Sequence, residues 1–279
     1  MPIITFWSNN EKAIGQTVAA SAAATVMAIE RNYKILLISV DFMNSTMEEC
    51  FGSQQSNAEL IKTLIKTPKI NVGTGINGLL KIAQSNRTTP EMIKDYTKIV
   101  YKNNRLEVLY SSTDIEMPEE EQFECLKKII LNANQYYDYV ILDLQKSLKE
   151  QVYGILDLSD VIVLNTEQGT KTLEEFYQLE ETQRYINSNK VLWNKCNYEK
   201  KSKYNVKNFT RTIWKKQDIY TVPYNTLLFE ATKEGNIAEL LLRLRTIKSQ
   251  DENTELFEEL KKLIDGILTR YQELRMRIK

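Results

Sequence analysis

Ile3-Ile4-Thr5-Phe6-Trp7-Ser8-Asn9-Asn10-Glu11-Lys12-Ala13-Ile14-Gly15-Gln16-Thr17 decides the fold. It reads as a buried strand, a loop ending in Gly-Gln-Thr, and then a helix of small residues from Val18 to about Ile29. That is the layout of a phosphate-binding loop, G-x-x-x-x-G-K-[ST], with parts replaced. The second glycine (Gly15) and the hydroxyl for a magnesium site (Thr17) are present. Asn10 stands where the first glycine belongs, and Gln16 where the phosphate-reaching lysine belongs. By itself the stretch is also compatible with a strand-turn-helix in which Gly15 only permits a tight turn.

Two later segments favour the phosphate loop. Lys34-Ile35-Leu36-Leu37-Ile38-Ser39-Val40-Asp41 and Tyr137-Asp138-Tyr139-Val140-Ile141-Leu142-Asp143 are apolar runs that each end in a carboxylate. Ligands of an open parallel sheet bind at the carboxyl ends of its strands, so Asp41 and Asp143 would face the loop. Asp41 also fits a strand-end cap of the turn that follows it.

With these residues in view, the chain resembles the ParA/MinD group of deviant P-loop ATPases along nearly its whole length. Laid over the family loop K-G-G-x-G-K-[ST] without gaps, the signature lysine falls on Glu11 and the phosphate lysine on Gln16. The two glycines fall on Lys12 and Ala13. The family's D-x-D falls on Ser39-Val40-Asp41, and its Walker B strand ends here as Asp143-Leu144-Gln145-Lys146. The resemblance makes Asn194, in Val191-Leu192-Trp193-Asn194-Lys195, an adenine contact, and places Pro223 in the adenine loop. Residues 10–18, from Asn10 through Ile14 to Val18, would then surround the nucleotide, with Thr17 and Asp143 on the metal. Ser202–Asn208 and Pro223–Thr226 resemble the CpaE/TadZ branch, which localises a pilus or secretion machine at the membrane.

Composition fits one large globular unit. The chain has 279 residues, 42% hydrophobic and 27% charged, enough for a sizeable core. Formal net charge is zero, so no global field draws it to nucleic acid or acidic lipid. There is no histidine, which removes His-dependent triads, and Cys50, Cys125 and Cys196 form neither disulfide nor metal spacing. No apolar run reaches membrane-spanning length, and the expected location is cytoplasmic, or peripheral at the inner face of the membrane.

Strands at 3–7, 35–40, 106–110, 139–143, 161–165, 190–194 and 219–222 alternate with helices at 16–30, 46–66, 76–85, 90–102, 119–135 and 170–187. The pattern predicts an α/β fold with a doubly wound, mostly parallel sheet and helices on both faces. We expect a single domain over 1–279, closed by two C-terminal helices, with 236–279 packed on it. The apolar face Phe257, Leu260, Ile264, Ile267, Tyr271 and Leu274 fits packing on the domain or a membrane-targeting helix. Segment 195–216 interleaves eight basic residues with Tyr198, Tyr204, Phe209 and Trp214. It reads as an amphipathic helix at 205–216 or as a surface for an acidic partner, anionic lipid or nucleic acid.

The chemistry left is backbone phosphate binding at a helix N-terminus, which needs no particular side chain. Loss of the lysine removes charge neutralisation at the β- and γ-phosphates, and Glu11 would repel the γ-phosphate. The resemblance therefore implies ATP and Mg²⁺ weakly bound, protein partners of a membrane-associated machine, and a homodimer. Three readings stay open. One is a localisation scaffold with little or no hydrolysis. Another is a partition-type ATPase active through Lys12. The third is a nucleotide-free interaction module.

Overall fold

The computed structural model describes residues 1–9, 14–41, 46–52, 75–111, 115–144, 149–169, 174–175, 178, 180–212, 218–247 and 252–277. Its strands are β1 (Ile3–Trp7), β2 (Ile35–Val40), β3 (Lys98–Tyr101), β4 (Leu106–Leu109), β5 (Tyr139–Leu144), β6 (Val161–Thr166), β7 (Val191–Tyr198) and β8 (Ile219–Pro223). They form one sheet in the order β3-β4-β2-β5-β1-β6-β7-β8. Only the β3–β4 pair is antiparallel. The first strand lies between β5 and β6, so the phosphate-loop stretch leaves the sheet near its middle.

The helices are α1 (Gln16–Glu30), α2 (Thr46–Phe51), α3 (Ile76–Gln84), α4 (Pro90–Ile93), α5 (Glu119–Ala133) and α6 (Glu150–Leu158). They continue with α7 (Glu180–Asn187), α8 (Val206–Thr212), α9 (Thr226–Glu234), α10 (Ile237–Leu244) and α11 (Glu252–Arg277). Because strand side chains alternate, each strand feeds two cores. Ile4, Phe6, Ile35, Leu37 and Ile141 pack with α1, α10 and α11 on one face. Ile3, Trp7, Leu36, Ile38 and Leu142 pack with α3, α5 and α6 on the other. With both faces covered, β1, β2, β4 and β6 are buried at every residue.

Several elements depart from the sequence expectation. Residues 90–102 do not form a helix. One turn from Pro90 gives way to β3, whose Lys98-Ile99-Val100-Tyr101 is a β-branched and aromatic run suited to a sheet edge. Helix α6 was missed in the pattern because Gly154 interrupts it. Burial of Val152, Ile155 and Leu156 outweighs that low propensity. Among the described residues, three helices rather than two follow β8. Asn225 caps α9 by accepting from Leu228 N, and Gly235 ends it in the left-handed region at φ 72°. A Cβ on Gly235 would lie 2.6 Å from Gly52 N, so the backbones cross where only glycine fits. The expected helix over 46–66 is seen as Thr46–Phe51, and its remainder, 53–66, lies outside the described residues. The strand expected at 190–194 continues to Tyr198, which becomes important below.

Helix α11 lies along β8. It buries Leu256, Phe257, Leu260, Leu263, Ile264 and Ile267. Gly266 receives the Tyr220 ring so closely that a Cβ would meet the hydroxyl at 2.0 Å. Arg270, its side chain 8% exposed, donates to Asn189 O at 2.8 Å and pairs with Asp218. No helix among the described residues is long and apolar enough to cross a membrane. We expect Arg270→Ala to cost about 2 kcal/mol in urea denaturation, because it orphans buried carbonyls as well as one charge.

At the carboxyl edge, Lys195 is fully buried and its Nζ donates to Glu167 O (3.3 Å) and Gln168 O (3.2 Å). The Gln168 side chain in turn clasps the backbone of Glu199 at both N and O. Burial lowers the Lys195 pKa to about 8. An unfolded lysine titrates near 10.4, so from about pH 8 upward the unfolded chain binds more protons and stability should rise with pH. Thermal melts between about pH 8 and 10 should show that rise, and Lys195→Met should flatten it.

Candidate functional site

Helix α1 begins at the middle of the sheet, where the loop after β1 turns back. Gly15 makes the turn in the left-handed region, φ 86° and ψ 18°, and the first helical bond runs from Ala19 N to Gly15 O at 3.0 Å. The amides of the preceding turn therefore lack helical acceptors, the ordinary basis of anion binding at a helix start. Ala19, Ala20, Ala22, Ala23, Ala24 and Ala28 are all buried, which lets sheet and neighbouring helices approach α1 closely.

Gln16 is the first residue of α1 and is 2% exposed. Its Nε2 donates to Asp143 Oδ1 at 2.7 Å, to Leu144 O at 2.8 Å and to Phe6 O at 3.2 Å. Three acceptors around one NH₂ fix the amide orientation. The opposite atom, Oε1, is buried with no hydrogen-bond partner. A bond to a carboxylate contributes about 1.5–3 kcal/mol, while the orphaned oxygen costs about 1–3. The amide thus sits where a lysine would serve the phosphates, but it is turned inward onto the β5 acid.

Asp143 itself is 2% exposed and lies opposite Phe6 and Ser39 in the sheet register. Ser39 is buried and its hydroxyl donates to Ser111 Oγ at 3.2 Å. Asp41 follows directly after β2 at the same edge and is half-buried, as are Thr17 and Val18 in the first turn of α1. Ile14 is buried and its carbonyl is held from outside the loop. Gly15, Gln16, Thr17, Asp41 and Asp143 thus share the carboxyl edge. Asn10, Glu11, Lys12 and Ala13 lie outside the described residues.

Asn194 lies within a strand longer than the expected 190–194. It is fully buried inside β7, its amide donating to Asn165 Oδ1 (2.8 Å) and Cys196 Sγ (3.4 Å). Sheet pairing of β6 with β7 places Asn165 opposite Asn194, so the Asn194 NH₂ meets the Asn165 oxygen, while Asn194 Oδ1 stays buried without a hydrogen-bond partner. The residue that does reach the loop is Asn197. In the left-handed region at φ 50°, it donates from Nδ2 to Ile14 O at 3.3 Å. A Cβ on Gly15 would lie 3.1 Å from that same nitrogen. Sequence reasoning missed Asn197 because it placed the end of the strand at 194, four residues before Tyr198. Pro223 ends β8 half-buried, and the next residue, Tyr224, donates its N–H to Tyr198 O.

Backbone geometry at α1 fits a phosphate group. The metal side fits less well, because the Asp143 carboxylate already accepts from Gln16. No group of three or more His, Cys, Asp or Glu side chains among the described residues forms a metal site.

Similarity to known proteins agrees with this geometry. A ParA family ATPase from Chlorobium tepidum superposes with a TM-score of 0.65 at 14% identity, over 96% of this chain and 98% of that one. A putative plasmid partition protein from Borrelia burgdorferi, solved with AMPPNP, gives 0.65 at 18% identity over 95% and 98%. The septum site-determining protein MinD from Pyrococcus horikoshii, solved with Mg-ADP, gives 0.64 at 14% over 97% and 98%. These likenesses show the ParA/MinD P-loop ATPase fold. No curated protein sequence matches the chain. A family model described as an AAA domain matches residues 1–195, so the chain belongs to that AAA domain family.

Proposed function

We propose that this chain is a ParA/MinD-like localisation or assembly scaffold with a degenerate nucleotide site, binding ATP weakly and hydrolysing it little or not at all. The observation that carries the reading is the Gln16 amide on Asp143. A lysine leaving that carboxylate would be repaid by a full charge-charge interaction with polyphosphate. A neutral amide gains only an ordinary hydrogen bond. The exchange is therefore unfavourable in the ground state, and it is worse in phosphoryl transfer, where charge neutralisation matters most. Ser39 adds to this by placing a hydroxyl beside Asp143 where the related proteins carry an acid.

The partner side of the proposal rests on the edge next to the site. Tyr204, Tyr224 and Phe229 are 45%, 59% and 54% exposed. Lys201, Lys203 and Lys207 are exposed on the same segment as Tyr204, while Lys200 is paired with Glu255 of α11. Rigid exposed aromatics among lysines suit a protein partner with an acidic face. The sequence resemblance to the CpaE/TadZ branch makes that partner part of a membrane-associated pilus or secretion machine, with the chain peripheral at the inner face. A second reading, an interaction module that takes no nucleotide, draws on the same Gln16–Asp143 bond.

Calorimetric titration separates the two. Millimolar-range ATP binding supports the scaffold with a weak site, and no binding supports the empty module. Tight binding with robust turnover would sink both. We expect turnover at least ~100-fold below that of a lysine-bearing relative, and Gln16→Lys should tighten ATP binding more than it restores rate. Self-association should be insensitive to Mg-ATP in light scattering. The reason is that Glu11, brought to a partner's polyphosphate, would add like-charge repulsion costing several kcal/mol.

A further inference from the structure

We propose that Gln16 and Asn197 are positioning residues that hold the turn at Ile14 and Gly15 and the start of α1 from two sides, so that neither nucleotide nor metal is needed to organise that turn. The inference deepens the degenerate-site reading and rests on it.

From inside, Gln16 Nε2 ties the first residue of α1 to two strands at once, to Phe6 O of β1 and to Asp143 and Leu144 O of β5. Here the chain supplies the donor itself, and it does so in a fully packed setting where the amide orientation has one solution. The unpartnered Oε1 is informative. Buried acceptors without a donor are rare, and this one accompanies three bonds from the other end of the same amide.

From outside, Asn197 seats on the turn. Its Nδ2 donates to Ile14 O, and it lies against Gly15 at a distance a side chain there would crowd. Asn197 can do this because its own backbone is in the left-handed region, which asparagine accepts more readily than most residues. Its loop is in turn anchored. Glu199 is clasped by Gln168, Tyr198 O accepts from Tyr224 N, and Tyr198 Oη accepts from Val206 N. A ligand entering over Gly15 would have to displace a residue that neighbouring loops hold in place.

Hydrogen-deuterium exchange on the nucleotide-free full chain tests this, because the contacts are read before any ligand is added. In Gln16→Met, which keeps side-chain bulk and removes the donor, amides at 14–20 and 140–144 should exchange about tenfold faster. In Asn197→Ala, an exposed position that does not threaten folding, the acceleration should be confined to 14–18. The unmodified protein should show the same exchange at 14–18 with Mg²⁺ or EDTA. The proposal is overturned if Asn197→Ala leaves 14–18 unchanged, or if Gln16→Met folds with unchanged exchange. It is also overturned if Mg²⁺ alone protects 14–18 in the unmodified protein. Failure of the weak-site reading is separate: it would appear in ATP titration while these nucleotide-free exchange rates still held.

Discussion

Helix α1 has no solvent-facing side over most of its length, and that constraint shapes the rest of the molecule. It lies on the sheet with α10 and α11 packed against it, and twelve of its fifteen residues are buried. A helix enclosed on all sides carries small residues so that its neighbours can approach, which accounts for the alanine run from Ala19 to Ala28. Enclosure also decides what its first turn can do. Gln16 enters the helix pointing at the sheet, so its amide must find partners in the interior. The acceptors available are two strand carbonyls and the Asp143 carboxylate.

The same economy governs the polar groups along the carboxyl edge. Asn194 donates to Asn165 Oδ1 across neighbouring strands, and Asn165 donates to Trp7 O. Lys195 is consumed by loop carbonyls. Side chains whose types suggest ligand binding are thus spent on holding strands and loops together. The interior is a poor solvent for unpaired amides and ammonium groups, so each such residue is drawn to whatever acceptor the fold brings near. The edge retains the frame of a nucleotide site, while much of its hydrogen-bonding capacity is committed internally.

Much of this frame was legible in the sequence. Ile3–Trp7, Ile35–Val40 and the run ending at Asp143 are strongly apolar, bounded by polar residues, and belong to a buried parallel sheet. Less legible were elements whose own propensity is weak. Helix α6 contains Gly154, and β3 follows a single helical turn, so their states depended on what they pack against. Asn194 and Asn197 illustrate the limit for the site. Both are asparagines at a strand end, and no spacing rule tells which faces the core. The four added residues of β7, 195–198, settle it by burying Asn194 opposite Asn165 and carrying Asn197 to Gly15.

By itself the sequence determined the alternation of strands and helices, the position of the loop between β1 and α1, and the glutamine at position 16 in place of a lysine. These are properties of local pattern and residue identity. Only the tertiary structure decided what the replacement does. The direction of the Gln16 side chain depends on where β5 lies relative to β1, and 127 residues separate Gln16 from Asp143. A hydrogen bond across that separation exists only once the sheet has set the two strands side by side, which is why a missing charge in the sequence is an engaged amide in the fold.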